Sequence, residues 1–240
     1  GSLKYDYFSP NEKNRLSIFA SAANTDRDSY YGPGNDPLKA YGKTTDLIAM
    51  GGAQYVHTFD KCLFMPSDLT AGLEYNRDRL KDNMWGYDRH TDQTVNIYSA
   101  FLQNEWKNER WSILVGGRLD KHNMVDNIIF SPRANLRFNP TQNINLRLSY
   151  SSGFRAPQAF DEDMHIENVG GTVAMIERTK NLKEEKSQSF SASADIYHRF
   201  GAFQTNFLIE GFYTKLTDVF VLGEPYNRGD GVLVKLRSNG

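Results

Sequence analysis

The feature that most constrains this fold is a strict alternation of apolar and polar residues in extended segments. From 144 to 151 every second residue is apolar, and the residues between them are Asn, Arg or Ser. Residues 111–119, 130–138 and 187–196 repeat the pattern. Because successive side chains of a strand point to opposite faces, the pattern predicts strands with one apolar and one polar face.

The sequence predicts an all-β fold, since no helical period of comparable quality appears. We place about eleven extended segments to within a few residues. They are residues 3–8, 14–23, 44–59, 68–78, 92–107, 110–121, 130–139, 143–152, 184–199, 202–219 and 231–238.

The connections between these segments alternate in length, so that every second one is longer than its neighbours. The longer ones are residues 24–43, 79–91, 122–129, 153–183 and 220–230. In outer-membrane barrels the tight turns lie at one rim and the long loops at the other. We therefore predict an antiparallel up-and-down transmembrane β-barrel that is partial, with about eleven strands of a larger barrel. A sandwich built from Greek keys does not require this order.

Composition narrows the function classes. The chain has 28 basic and 29 acidic residues, so its formal net charge of -1 gives no electrostatic case for nucleic acid. Aromatic residues make up 13% of a chain whose mean hydropathy is -0.59, as in barrels with a polar interior and aromatic girdles. The single Cys62 can form no internal disulfide. No apolar run is long enough for a transmembrane helix.

Three motifs resemble those of TonB-dependent outer-membrane receptors. Residues 152–157 read S-G-F-R-A-P, like that family's FRAP region, and 181–187 read N-L-K-E-E-K-S, like its N-P-N-L box. Residues 210–213, E-G-F-Y, resemble the strand that follows the box. The second motif departs from the family pattern, because Lys180 stands where a proline is expected and Glu184 replaces the second proline.

The resemblance implies that residues 1–240 are part of the receptor β-barrel, with the plug domain and the C-terminal strands absent. Gly1-Ser2 looks like an expression remnant, which agrees with a piece of a longer protein. The implied location is the outer membrane of a Gram-negative cell. We expect the open strand edges of an isolated fragment to promote self-association.

The implied function is TonB-dependent uptake of a scarce nutrient chelate: a ferric siderophore, haem or cobalamin. The implied partners are the TonB complex, acting through the plug, the lipid of the outer membrane and the chelate itself. No intrinsic cofactor is expected, and nucleic acid is not a partner.

Aromatic side chains in the long connections are the candidate ligand contacts, because they can stack on a planar or cyclic ligand. They are Tyr30, Tyr31, Trp85, Tyr87 and Tyr226. Arg155 of the FRAP-like motif is a further candidate ligand contact.

His165 lies between the two boxes, where haem receptors of this family carry a haem-ligating histidine. Neutral imidazole is a good axial ligand for iron, so the resemblance makes His165 a candidate ligand of haem iron. The nearby acidic residues offer two alternatives: a site for a hard cation such as Ca²⁺, or hydrogen bonds to Arg155. These acids are Asp161, Glu162, Asp163 and Glu167.

Two other classes stay open at this point. An exported soluble β-sheet binding module would pack the apolar faces of residues 130–138 and 144–150 against protein. An outer-membrane barrel hydrolase would need a histidine and carboxylate pair. The candidate pairs are His90 with Asp88 or Asp92 and His122 with Asp120, none within a recognised motif. We expect no enzyme.

Overall fold

A computed structural model describes residues 1–30, 41–159, 161–164, 167–169, 172–229 and 232–240. Most of these residues form two sheets. The strands are β1 (Ser2–Phe8), β2 (Asn14–Tyr30), β3 (Tyr41–Cys62), β4 (Met65–Met84), β5 (Arg89–Lys107), β6 (Trp111–His122), β7 (Ile129–Thr141), β8 (Ile144–Arg155), β9 (Glu167–Val169), β10 (Thr172–Arg178), β11 (Glu185–Phe200), β12 (Phe203–Thr217), β13 (Phe220–Leu222), β14 (Tyr226–Asn227) and β15 (Val232–Asn239). A 3-10 turn, Trp85–Tyr87, and a helical turn α1, Asp161–Met164, complete the elements.

Among these residues no helix has the length and apolarity needed to cross a membrane.

The larger sheet has ten strands in the order β1-β2-β3-β4-β5-β6-β7-β8-β11-β12. Each strand pairs antiparallel with its neighbour, which confirms the predicted up-and-down partial barrel. One rim, which we call the short-turn rim, carries the connections 9–13, 63–64, 108–110, 142–143 and 201–202. The opposite end is the long-loop rim.

Two details differ from the sequence prediction. Several strands are longer than predicted: β4 continues to Met84 and β5 begins at Arg89, so most of the loop expected at 79–91 is strand. The reason is that the apolar residues change face in this part, which breaks the alternation that we used to place the strand ends. The segment 231–238 was counted with the barrel strands but forms β15 of the second sheet.

The outer face of the large sheet is apolar and open. Strand register places Ala71, Leu102 and Gly117 in one row across three strands, and Tyr150, Phe190 and Tyr213 form another row. These outer side chains are not covered by protein, since Leu148 is 55% exposed and Leu102 is 56% exposed. An open apolar band of this kind is typical of a barrel surrounded by lipid. It contradicts the soluble-module alternative, which required these faces to be packed against protein.

Aromatic residues lie at both edges of the apolar band. Near the short-turn rim, Phe64 stacks on Trp106 with ring centroids 5.6 Å apart. Nearer the long-loop rim, Tyr75 stacks on Tyr98 with centroids 4.8 Å apart. At the usual rise of a strand the two levels stand roughly 26 Å apart along β5, and a tilt of about 40° reduces this to about 20 Å. That height suits an apolar band of about 25 Å flanked by aromatic girdles.

The inner face is polar and internally bonded. Arg118 of β6 donates to Glu74 at 2.6 Å, to Asp120 at 2.8 Å and to the Ser99 hydroxyl at 2.7 Å. The Ser99 hydroxyl donates in turn to Asp120 at 2.6 Å. Ion pairs held by several hydrogen bonds satisfy their polar atoms without bulk water. The two faces of each strand therefore have different surroundings, as the sequence alternation predicts.

The second sheet is built from the connection between β8 and β11 and from the segment that follows β12. Its strand order is β13-β15-β10-β9, with β14 also paired to β15. β10 and β15 run parallel, and their contact buries Met175 and Val234 almost completely. The loop between β8 and β11 is thus fixed to the chain segment that follows β12.

Candidate functional site

The candidate site is at the long-loop rim, on the inner face of the large sheet. We call it the mouth, and define it as residues 156–164, β10 and the rim ends of β4, β5 and β6. Leu80 of β4 points inward there and packs with Ala159 and Met164 in one buried cluster. A second cluster joins Val125, Ile129 and Ala156. The loop that follows the FRAP-like motif is therefore packed inward against the barrel wall.

Gln93 of β5 holds this loop by hydrogen bonds. Its side-chain oxygen accepts the backbone N–H of Ala159 at 2.7 Å and the guanidinium of Arg178 at 2.9 Å. Arg178 also donates to the Pro157 carbonyl at 3.2 Å. One buried amide therefore joins the barrel wall, the loop and β10.

A buried ion pair closes the tip of the β4–β5 hairpin. Arg89 lies 2.9 Å from Asp82, and both side chains are nearly inaccessible to solvent. Asp82 also accepts from the Thr44 hydroxyl at 2.7 Å, and Arg89 donates to the Met164 carbonyl at 2.9 Å. These hydrogen bonds offset part of the desolvation cost of burying the pair.

His122 and Asp163 are further anchors of the mouth. The buried His122 ring lies 3.2 Å from the Gln158 side-chain oxygen through Nε2, and its Nδ1 accepts the backbone N–H of Met124 at 3.0 Å. These contacts correspond to a neutral ring with its proton on Nε2. Asp163 of α1 lies 2.7 Å from Arg237 of β15, and both are buried.

The histidine pairs considered for catalysis do not form a catalytic arrangement. His122 is wholly buried and bonded to the loop, and Asp120 is bonded to Arg118 and Ser99. His90 is exposed and lies 3.4 Å from Asp88, while Asp92 pairs with Lys81 at 3.6 Å. We assign structural roles to His122 and Asp120.

A cavity of about 490 Å³ opens beside these anchors. Its wall comes from the β4–β5 tip, the loop, β10 and Arg228, and includes the charged side chains Arg89, Arg178, Lys180, Asp163 and Glu177. Arg228 lies 3.7 Å from Glu177. Burial lowers the pKa of the Arg178 guanidinium from its usual value, although an arginine remains charged at neutral pH. The wall of the cavity therefore combines basic and acidic side chains, with Arg178 and Lys180 among the basic ones.

The structure brings some of the sequence-predicted site residues to this rim. Tyr30 stands at the end of β2, where its ring contacts Tyr41 at 5.1 Å. Trp85, in the β4–β5 turn, and Tyr226, in β14, are both exposed. Arg155 ends β8, and its guanidinium lies 5.6 Å from the centre of the Phe220 ring.

Other predictions fall outside the described residues. Tyr31 and His165 are not described, and Tyr87 is described only through its backbone. The Ca²⁺ alternative depended partly on Asp161 and Glu162, whose side chains are also outside the description. Among the residues that are described, no group of three or more His, Cys, Asp or Glu side chains is arranged to hold a metal ion.

The sequence analysis missed the buried anchors of the mouth, Gln93, Arg178 and Arg237. Gln93 is separated from its partners Ala159 and Arg178 by 66 and 85 positions. The only indication of this role in the sequence is the position of Gln93 in the alternation of β5, which places it on the inner face but does not identify a partner.

Comparison with known proteins agrees with this geometry. A family model described as "TonB dependent receptor-like, beta-barrel" matches residues 1–234. No curated protein sequence matches the chain.

Solved structures with a similar fold include three bacterial receptors or transporters. A ferric enterobactin receptor mutant from Pseudomonas aeruginosa, in complex with enterobactin, superposes with a TM-score of 0.74 at 16% identity, over 99% of this chain and 38% of that one. The siderophore receptor PirA from Pseudomonas aeruginosa gives a TM-score of 0.65 at 12% identity, over 95% and 45%. The FrpB iron transporter from Neisseria meningitidis gives 0.64 at 16% identity, over 99% and 38%. The chain thus spans less than half the length of each structure, and these low identities establish the fold alone.

Proposed function

The chain belongs to the TonB-dependent receptor β-barrel family, and we propose that it forms the ligand-facing wall of a receptor that imports a nutrient chelate. The observation that carries the proposal is the mouth: a charged cavity of about 490 Å³ beside a loop that is fixed inward on the polar face of the barrel. In this proposal the long-loop rim is extracellular, as in other outer-membrane barrels.

The charge of the cavity favours an anionic chelate. Arg178 and Lys180 contribute positive charge from β10 and the residues just after it, and Arg228, 3.7 Å from Glu177, also lines the cavity. Lys180 is exposed, and no described carboxylate lies within ion-pairing distance of its ammonium group. Guanidinium and ammonium groups bind carboxylate and phenolate oxygens through charge-assisted hydrogen bonds. A ferric siderophore with net negative charge suits this wall, while haem, with its propionates, and cobalamin are the other candidates.

Exposed aromatic residues of the rim supply the second part of the proposed contact. Trp85 and Tyr226 offer exposed flat surfaces at the rim, whereas the strand register places Tyr30 on the outer face of β2, away from the mouth. Stacking on such rings stabilises a planar or cyclic ligand together with its cationic contacts. The proposed substrate class agrees with the similar structures, which include a siderophore receptor and an iron transporter.

We propose further that His165 distinguishes haem from the other substrates. If haem is the chelate, the imidazole ligates its iron, and a receptor carrying His165→Ala loses the shift of the Soret band that haemin binding produces. A variant that keeps the full shift would remove His165 from the proposal. Cobalamin, followed by its corrin band, is the parallel titration.

The remaining parts of the proposal concern the whole receptor. A plug domain would fill the lumen against the inner polar face and transmit energy from the TonB complex. The outer membrane would surround the apolar band. Receptors of this family are transporters rather than enzymes, which agrees with the structural roles found for the histidines.

Uptake by cells tests the proposal. A strain that depends on the full-length receptor should accumulate one of three labelled substrates, namely a ferric siderophore, haem or cobalamin, and lose this uptake when TonB is deleted. Accumulation of none of them, with the receptor present in the outer membrane, would contradict the proposal.

The mouth itself is tested by charge removal. Lys180→Gln combined with Arg228→Gln should weaken chelate binding by about tenfold or more, because each charge-assisted contact contributes about 1.5–3 kcal/mol. The matched control is Lys61→Gln with Arg110→Gln, which removes two exposed cations at the short-turn rim. Equal weakening by both pairs would show that net charge, rather than the mouth, attracts the ligand.

A further inference from the structure

Two arginines stand on the outer face of β4 directly beyond the upper aromatic pair. Arg77 and Arg79 follow Tyr75 at alternate positions, so they share its outward face and are exposed. Tyr75 stacks on Tyr98 of β5, and Tyr98 is in register with Lys121 of β6. Three cationic side chains on two strands therefore border the end of the apolar band.

Within the described part of the chain these arginines have no acidic partner. No described carboxylate forms an ion pair with Arg77 or Arg79, whose cross-strand neighbours on β5 are Asn96 and Thr94. The nearest outward acid on β5, Asp92, is already paired with Lys81 at 3.6 Å. Lys121 is exposed on the same outward face, and its ammonium group donates to the backbone carbonyls of Val125 and Asp126.

We propose that Arg77 and Arg79, together with Lys121, bind a phosphate of a lipid headgroup in the outer leaflet. The proposal rests on the membrane location in the proposed function, because that location puts acyl chains against Leu73 and Leu102 and headgroups at the level of Tyr75. Guanidinium forks match phosphate oxygens in bidentate geometry. Basic side chains at this depth extend their apolar stems along the band while their charged ends reach the headgroups.

The occupant is a lipid rather than free phosphate because the site has two parts. Arg77 and Arg79 are exposed, and the outward residues below them along β4 are Tyr75 and the exposed Leu73 of the apolar band. An inorganic phosphate would use only the cations, whereas a phosphorylated lipid covers both the cations and the band. Burying the acyl chain therefore adds a contribution that a soluble anion lacks.

The experiment measures binding of lipid A to the full-length receptor in detergent, by native mass spectrometry with titration. The wild-type receptor should bind bisphosphorylated lipid A, and Arg77→Gln combined with Arg79→Gln should weaken binding by about 30-fold, the effect expected for two basic residues near a membrane surface. Lys61→Gln with Arg110→Gln is the control of equal charge, at the opposite rim. Millimolar inorganic phosphate should compete weakly.

Several outcomes would overturn this lipid site. They are unchanged binding in the arginine variant, equal loss in the control, equal binding of dephosphorylated lipid A, and full displacement by inorganic phosphate. Chelate binding, measured on the same preparations, separates this inference from the proposed function. A receptor that binds lipid A through Arg77 and Arg79 but no chelate would leave the lipid site standing while the transport proposal fails.

Discussion

Apolar and polar residues alternate in both halves of the β4–β5 hairpin, but the apolar residues lie on opposite faces of the sheet in the two halves. In the half toward the short-turn rim, the outward residues are apolar and exposed, such as Leu73 and Leu102, while inward residues such as Ser99 are polar and bonded. Toward the long-loop rim, the apolar residues Leu80 and Val95 point inward and are buried, whereas the outward residues are charged or polar. Asp82 and Gln93 are also inward there, where each is held by hydrogen bonds.

This inversion follows from what surrounds each half. Apolar side chains are stabilised outward where lipid surrounds the sheet, and inward where the loop 156–164 and β10 cover it. The change occurs just above Tyr75 and Tyr98, which stack on the outer face. The position at which the apolar residues change from the outer to the inner face therefore marks the membrane boundary. Both strands continue beyond this boundary.

The largest difference between the faces should appear in two ion pairs of the mouth half. Asp82→Asn leaves Arg89 buried without its charge partner and should reduce the free energy of unfolding by about 3–5 kcal/mol. The outward pair Lys81–Asp92 is exposed, so Asp92→Asn should cost less than about 1 kcal/mol. Urea unfolding of the refolded receptor in vesicles measures both. Similar costs would remove the distinction between the faces.

A charge placed in the apolar band tests the half of the β4–β5 hairpin that lies toward the short-turn rim. Leu102→Lys puts an ammonium group near the middle of the band and should destabilise the receptor by about 2–4 kcal/mol. The adjacent Gln103→Lys points inward, near Glu74, and should cost less than about 1 kcal/mol. The same unfolding assay compares the two. A smaller cost for Leu102→Lys than for its neighbour would contradict the assigned faces.

Removing apolar volume tests the inward core of the mouth. Leu80→Ala should cost about 2–3 kcal/mol, because Leu80 packs on Ala159 and Met164. Lys81→Ala, one position along and outward, should change stability by no more than about 0.5 kcal/mol. Proteolysis within the loop 156–164 should accelerate only in the first variant. Equal protection in both would show that the loop does not depend on this core.

The smallest expected effect is that of replacing Gln93, whose side-chain amide joins the barrel wall to the loop and to β10. Gln93→Ala leaves the Ala159 N–H and the Arg178 guanidinium without one acceptor, at a cost of about 1–3 kcal/mol. Hydrogen exchange of the Ala159 amide should become faster, while Thr94→Ala, on the outward face, should leave it unchanged. No change in exchange for Gln93→Ala would assign the anchoring to other contacts.

The barrel strands could be predicted well from the sequence because the patterns that identify them are local. Alternation at period two and the order of short and long connections are visible within each segment, and all ten strands of the large sheet were identified by them. The extensions of β4 and β5 were missed where the apolar face inverts. The mouth was missed because its contacts join distant positions, such as Arg237 with Asp163, and because β15 has the same local pattern as a barrel strand.

The central claim is that the outer face is lipid-covered up to Tyr75 and water-exposed beyond it. In a full-length receptor with Cys62→Ser, single cysteines at Leu73, Leu102, Arg79 and Lys81 would each carry a bimane probe, and brominated lipid would serve as quencher. We predict strong quenching for Leu73→Cys and Leu102→Cys and little for Arg79→Cys and Lys81→Cys. Equal quenching at all four positions, or stronger quenching at positions 79 and 81, would contradict the account.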